Sequence, residues 1–266
     1  MDNNTDKSLV TIITVVFNNV DTIERTIQSV VNQSYKNIEY IIIDGVSTDG
    51  TLDVIDKYKA SISKIISEKD KGIADAMNKG IALANGKLVG LINADDWFET
   101  TAIEDVVDLS LTCPDAVIHG DMRIHMNPST YYVAHAPTLL NLKKGMEMNH
   151  PTTFVPRILY ERLGGFNINY KIVFDWELML RFKLAGVTFI KLNKILSNFS
   201  VGGVSTVGSK RLIKEMHFVR KDFKVYKLVD YYYLVNRIRS VFFGSNVIRI
   251  SQKIRLLKYK LSRKTR

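Results

Sequence analysis

Val10-Thr11-Ile12-Ile13-Thr14-Val15-Val16-Phe17, followed at once by Asn18-Asn19-Val20-Asp21, decides the fold. The run is unbroken in apolar and β-branched residues, the mark of a strand covered on both faces. Asn18, Asn19 and Asp21 offer helix caps, and Ile23, Ile27, Val30 and Val31 then fall on one helical stripe. Outward from there the alternation repeats. Ile38 to Ile43 reads as a second buried strand, closed by Asp44-Gly45 and a polar turn through Asp49-Gly50, and Leu52, Ile55 and Tyr58 mark a helix. Ile65-Ile66 is a short strand, Ile73 to Ala84 a helix with Met77, Ile81 and Ala84 inward, and Leu88 to Ile92 another strand. Strand and helix alternating at this spacing predict an α/β domain whose mostly parallel sheet carries helices on both faces. Ligands bind such sheets at the carboxyl ends of the strands.

Beyond Asp96 the pattern loosens. Thr101 to Leu111 reads as a helix, Ala116 to His119 and Tyr131 to Ala134 as short strands, and Thr152 to Val155 as a strand. Ile158 to Leu163 reads as a helix ending at Gly164-Gly165, and Trp176 to Ala185 as one ending at Gly186. Val201 to Gly208, rich in Gly, Ser and Val, is the expected boundary. It leaves a body of residues 1–200 (nucleotide half about 9–100, acceptor half about 101–200) and a tail of 201–266. In the tail, Leu212, Met216, Val219, Phe223 and Tyr226 form one amphipathic stripe. Ile250, Ile254, Leu257 and Leu261 form another, flanked by Lys253, Arg255, Lys258 and Lys260.

The chain has 266 residues, 46% of them hydrophobic and 24% charged, which is globular composition and excludes a wholly disordered chain. Its one cysteine, Cys113, excludes an intramolecular disulfide and a multi-cysteine zinc site, and a reducing cytoplasm fits. No apolar run approaches the ~20 residues that span a bilayer, and no signal peptide is legible, so the protein is expected inside the cell. The net charge of +10 divides unevenly: residues 201–266 hold seventeen Lys and Arg against three acids, giving +14 and leaving −4 for the body. A slightly acidic body with a strongly basic tail points to an anionic partner for the tail.

Acidic residues sit where strands end: Asp44 after the second, Glu68 and Asp70 after the third, and Asn93-Ala94-Asp95-Asp96 after the fourth. Clusters of carboxylates at one sheet edge repel unless a cation joins them. A divalent metal held by hard oxygens, itself holding a diphosphate, resolves that repulsion. His119, Asp121 and His125 lie close in sequence but lack a supporting ligand cluster and are assigned to structure.

Four segments together carry a resemblance. They are Thr14-Val15-Val16-Phe17-Asn18, Ile43-Asp44-Gly45-Val46-Ser47-Thr48-Asp49-Gly50-Thr51, Asp70-Lys71-Gly72-Ile73-Ala74-Asp75-Ala76-Met77-Asn78-Lys79-Gly80 and Leu91-Ile92-Asn93-Ala94-Asp95-Asp96. In this order they resemble the family 2 glycosyltransferases, enzymes of the GT-A fold that build bacterial surface polysaccharides. A further match follows at Phe174-Asp175-Trp176-Glu177-Leu178-Met179-Leu180-Arg181.

The resemblance implies roles. Asp44 would accept a hydrogen bond from the base, Thr14 and Asn18 would line the base and ribose pocket, Asp70 would sit beside the ribose or base, Asn78 would reach the ribose or sugar, and Asp95 the ribose or donor sugar. Asp96 would hold the metal, Mn2+ or Mg2+. Asp175 would be the general base, with Glu177 as the fallback, while His150 and Trp97 would stand near the acceptor, diphosphate or donor sugar. The reaction implied is an inverting transfer of a hexosyl or N-acetylhexosaminyl group from a nucleotide sugar, a UDP-sugar by preference, to a glycan or lipid-linked acceptor. The alternatives are a sugar-nucleotide nucleotidyltransferase, or an inert binding protein of the same fold tethered by its tail. The tail is expected to dock on the anionic inner face of the cell membrane, each Lys or Arg there contributing ~1 kcal/mol. It could instead pack on the body or on a second copy, and no nucleic-acid module is legible.

Overall fold

The computed structural model describes residues 8–201, apart from positions 128, 139 and 144, and residues 210–225. The chain divides into two compact units, residues 1–206 and 207–266.

In the first unit, β1 (Val10–Val16) is fully buried along its length and pairs in parallel with both β2 (Ile38–Asp44) and β4 (Leu88–Asn93). Next to β2 lies β3 (Lys64–Ser67), also parallel. The first half of the sheet is thus the doubly covered parallel sheet that the unbroken apolar runs predict. Helices α1 (Ile23–Val31) and α2 (Thr51–Asp56) complete one layer together with α4 (Ala102–Thr112), packing on a core that includes Ile12, Ile42 and Ile92. Helix α3 (Ile73–Leu83) covers β1 and β2 on the other face. Gly80 makes that approach possible, because a Cβ there would sit 2.4 Å from Ile13 Cγ2.

The second half of the sheet departs from the parallel expectation. Its strands are β5 (Trp97–Phe98), β6 (Val117–Asn127), β7 (Thr130–Ala134), β8 (Phe154–Pro156) and β9 (Phe189–Ser200). The order is β3-β2-β1-β4-β8-β6-β9-β5, with β7 on β6, and β8 runs antiparallel to both neighbours. The strand expected at Thr152 to Val155 starts two residues later, since His150–Thr152 is a 3-10 turn. Two strands, β5 and β9, were not legible in the sequence. β9 is twelve residues long, yet its pairing with β6 shifts register on both sides of Asp121. Such shifts swap which side chains face the core and erase the period of two that reveals a strand. Helices α5 (Arg157–Leu163) and α6 (Phe174–Leu184) close the unit, α6 starting two residues earlier than expected.

The second unit contains α7 (Lys210–Asp222), with Val219 buried and Leu212 and Met216 half-buried on the expected stripe. The helix expected around Ile250 to Leu261 lies outside the described residues. Among the described residues no helix is long and apolar enough to cross a membrane.

Candidate active site

The carboxyl ends of β1, β2 and β4 open into a cavity of about 660 Å3, a size that suits a small-molecule ligand. Val15–Phe17, Gly45 and Asn93–Asp95 form its sheet side, Gly72, Ile73 and Met77 of α3 a second wall, and His150, Lys171 and Asp175 the remainder.

The loops around it are tied tightly. Asp44 is fully buried and accepts the Val46 and Ser47 amides at 3.0 and 3.1 Å and the Ser67 hydroxyl at 2.6 Å. Its carboxylate therefore shapes the turn instead of lining the cavity. The turn forces Val46 to φ 67°, an uncommon conformation for a β-branched residue. Asn18, at φ 47°, likewise braces the rim: its amide N–H donates to Ser47 Oγ and its Oδ1 accepts the Thr48 amide, both at 2.8 Å. Thr14 is fully buried and shares a 3.0 Å hydrogen bond with Tyr40, out of reach of a ligand. Asn78 faces away from the cavity and clips Phe166, donating to its carbonyl and accepting its amide at 2.8 Å each. Gly165 lets the clip close, since a Cβ there would meet Asn78 Oδ1 at 2.4 Å. Of the residues expected around the base and ribose, Asp70 and Asp95 line the cavity. Asp70 is bound to Lys79 at 2.6 Å.

The adjacent acids separate cleanly. Asp95 lines the cavity, whereas Asp96 is fully buried beneath it because a turn from the Asn93 carbonyl to the Asp96 amide (3.1 Å) rotates the second carboxyl inward. Burial raises the Asp95 carboxyl, partly offset by its own backbone amide and by Arg25. Burial, reinforced by the Asp95 charge, raises Asp96 well above the usual range. Asp96 Oδ1 has no hydrogen-bond partner among the described residues. Asp95, expected at the ribose or donor sugar, therefore lines the cavity, and Asp96, expected at the metal, lies behind that lining. Trp97 does not line the cavity either: the Arg25 guanidinium lies 3.6 Å over its ring, and His125 stands at 4.8 Å.

Asp175 and His150 do line the cavity. Burial raises the Asp175 carboxyl, opposed first by His150, and burial lowers the His150 imidazole, opposed by Asp175. A carboxyl raised by burial is a stronger base than an ordinary aspartate, which suits a proton acceptor. Glu177 is directed elsewhere, its carboxylate bound to Arg181 Nε at 3.0 Å and Nη2 at 3.1 Å. His119 is fully buried and drawn down to about 4 by burial and Lys191, while Asp121 anchors the chain after β7 through the Ala136 amide (3.0 Å) and His135 (2.6 Å). Neither lines the cavity.

Among the cavity residues without a site role in the sequence reading are Phe17 and Lys171. Phe17 is 64% exposed with its ring on the cavity wall, and an apolar residue directly after a buried strand was the available signal. Lys171 reaches across from the α5–α6 loop to the Lys71 carbonyl.

A half-parallel sheet with acids over the carboxyl ends of its strands is the arrangement of the GT-A glycosyltransferases. The chain belongs to Glycosyl transferase family 2, whose model matches residues 11–177. It is 30% identical over 219 residues, 80% of this chain and 86% of the relative, to the UDP-Glc:alpha-D-GlcNAc-diphosphoundecaprenol beta-1,3-glucosyltransferase WfaP of Escherichia coli. A PGL/p-HBAD biosynthesis glycosyltransferase of Mycobacterium bovis is 26% identical over 198 residues, 71% of this chain and 77% of that protein. Among solved structures, S. aureus TarS 1-349 in complex with UDP-GlcNAc superposes with a TM-score of 0.67 at 17% identity, covering 80% of this chain and 64% of that one. This chain spans 44% of the longer TarS chain.

Proposed function

We propose that this glycosyltransferase moves a sugar from a UDP-sugar to a hydroxyl of a lipid-diphosphate-linked glycan acceptor, with inversion at the anomeric carbon. The observation that carries the reading is that Phe17, Asp95, His150 and Asp175 line one and the same cavity. The names of WfaP and of the TarS complex support the UDP donor, and the name of WfaP supports the acceptor class.

Phe17 offers an aromatic face for the base, and Asp95 faces the diphosphate. Asp175 takes the proton from the acceptor hydroxyl as its oxygen attacks the anomeric carbon. With one base and a nucleoside diphosphate leaving from the opposite side, a single displacement inverts the centre. No acid corresponding to that of a glycoside hydrolase is required. The metal question turns on the donor set. Asp95 and Asn93 present hard oxygens to the cavity, while no group of three His, Cys, Asp or Glu among the described residues could hold an ion. That set fits Mg2+ or Mn2+ bound by one carboxylate, with substrate phosphates and water completing its shell. When bound, the metal supplies positive charge to the departing diphosphate.

The basic tail is proposed to hold the enzyme on the cytoplasmic membrane surface where such an acceptor resides, its charge of +14 supporting that location.

Thermal-shift titration with UDP, GDP, CDP and dTDP, each with and without manganese, tests the donor. UDP at a hundredfold excess over its Kd is expected to add ~2.7 kcal/mol of stability. The manganese-dependent part should vanish in Asp95→Asn. Stabilisation by another nucleotide, or by none, would overturn the UDP assignment. The pH profile follows from the raised Asp175 carboxyl. The base works ionised, so kcat/KM should rise with pH through a limb lying above ~3.9, the ordinary aspartate value. A limb at or below that value would exclude a buried aspartate as the base.

A further inference from the structure

Besides the apolar stripe of α1, the helix with its N-cap Thr22 and the residue pair after it carries a polar stripe that meets the backbone of residues 94–99 in order. Thr22 Oγ1 donates to the Ala94 carbonyl at 2.8 Å, Arg25 Nη2 to Asp95 at 3.0 Å and Thr26 Oγ1 to Asp96 at 2.6 Å. Ser29 Oγ accepts the Phe98 amide at 3.1 Å, and Gln33 Nε2 donates to the Glu99 carbonyl at 2.8 Å. The segment that presents Asp95 to the cavity is therefore held from outside, by a helix whose side chains do not line the cavity.

Arg25 differs from the other members of the stripe. The Thr22 and Thr26 hydroxyls are short and reach only the acid loop or Asn19 just before the helix. The Arg25 guanidinium also sits 3.6 Å over the Trp97 ring and donates to Ser200 Oγ at 3.2 Å, where β9 ends. It joins three elements: α1, the loop carrying Asp95 and the end of β9. A guanidinium is suited to this, because the aromatic contact holds the group in place while the two N–H bonds of Nη2 serve the two acceptors.

We propose that Arg25 is the positioning residue for Asp95, holding that carboxylate at the distance the donor diphosphate requires by tying the Asp95 carbonyl to the end of β9. Displacements of about 1 Å at a reacting centre can cost on the order of a hundredfold in rate. The inference rests on the reading of the cavity as a UDP-sugar site.

The test is binding, measured by calorimetry or ligand-observed NMR on the full chain with uridine, with UDP and with UDP plus manganese. Arg25→Ala is expected to weaken manganese–UDP binding about tenfold, the scale of a lost hydrogen bond from a charged donor, while uridine binding stays within about twofold. Arg25→Lys, which keeps the charge but loses the planar guanidinium over Trp97, should show nearly the same loss. Ser200→Ala, which removes one leg and leaves the core intact, should show a loss of about threefold in the same selective sense. Unchanged manganese–UDP binding in Arg25→Ala, full recovery in Arg25→Lys, or a parallel fall in uridine binding would overturn the proposal. Wild-type protein that binds neither uridine nor UDP would overturn the UDP reading itself, an outcome read before any variant is made.

Discussion

Asp175→Asn is expected to lower sugar transfer at least a hundredfold while leaving UDP binding intact, since removal of a general base costs roughly 10²–10⁴ in rate. The substitution is isosteric and the carboxylate has little structural work. It accepts the amide of its neighbour Trp176 at 2.7 Å, and an asparagine carbonyl can accept the same bond. Burial already disfavours the charge at this position, so the amide should not lower the melting temperature. Single-turnover transfer, with UDP affinity measured on the same preparation, gives the result. A loss below tenfold would mean that another group takes the proton, and a parallel loss of UDP affinity would mean that Asp175 serves the donor instead.

The parallel half of the fold was legible because each of its strands is a short apolar run and each helix has an intact stripe. Val10 to Phe17 and Ile38 to Ile43 were read within one residue of β1 and β2. The second half of the sheet, which mixes parallel and antiparallel pairs, was less legible for a local reason. β9 buries the polar Ser197 and Asn198, engages Lys191 and Lys194 in ion pairs, and shifts register against β6, so no simple alternation survives. The candidate site divides in the same way. That acids gather over the strand ends could be read from the sequence. Which of two adjacent aspartates faces the cavity could not, because one backbone turn after β4 decides it. Thr14, Asp44 and Asn78 lie close to the cavity yet are used up by Tyr40, the turn amides and Phe166, and spacing does not reveal such internal partners. Arg25 escaped notice because its function is expressed through another residue's carbonyl.

Glu177, two residues beyond Asp175, is expected to behave in the opposite way: Glu177→Ala should unfold the protein more easily rather than slow its chemistry. The side chain is nearly fully buried, and its two oxygens hold Arg181 in a fork. That guanidinium in turn donates to the carbonyls of Leu163, Gly164 and Gly165, at 3.1 Å to Gly164 and 2.6 Å to Gly165. These carbonyls end α5, where a cation is favoured by the helix dipole and by acceptors left free within the helix. From Gly165 the chain runs through the Asn78 clip to Lys171 and Asp175, so the pair anchors one wall of the cavity from behind. Removing one partner of a buried pair costs roughly 3–5 kcal/mol, and the partial exposure of Arg181 places this case near about 3. For a domain of this size that lowers the melting temperature by about 6–12 °C. Glu177→Gln keeps one acceptor and should lose less stability. Below its melting temperature it should transfer sugar within about tenfold of wild type, far from the loss of a base. If Glu177→Gln instead melted like wild type and lost transfer a hundredfold, Glu177 would be the base and Asp175 the anchor. Calorimetric melting and transfer rates on these two acids therefore separate chemistry from architecture within one turn of helix.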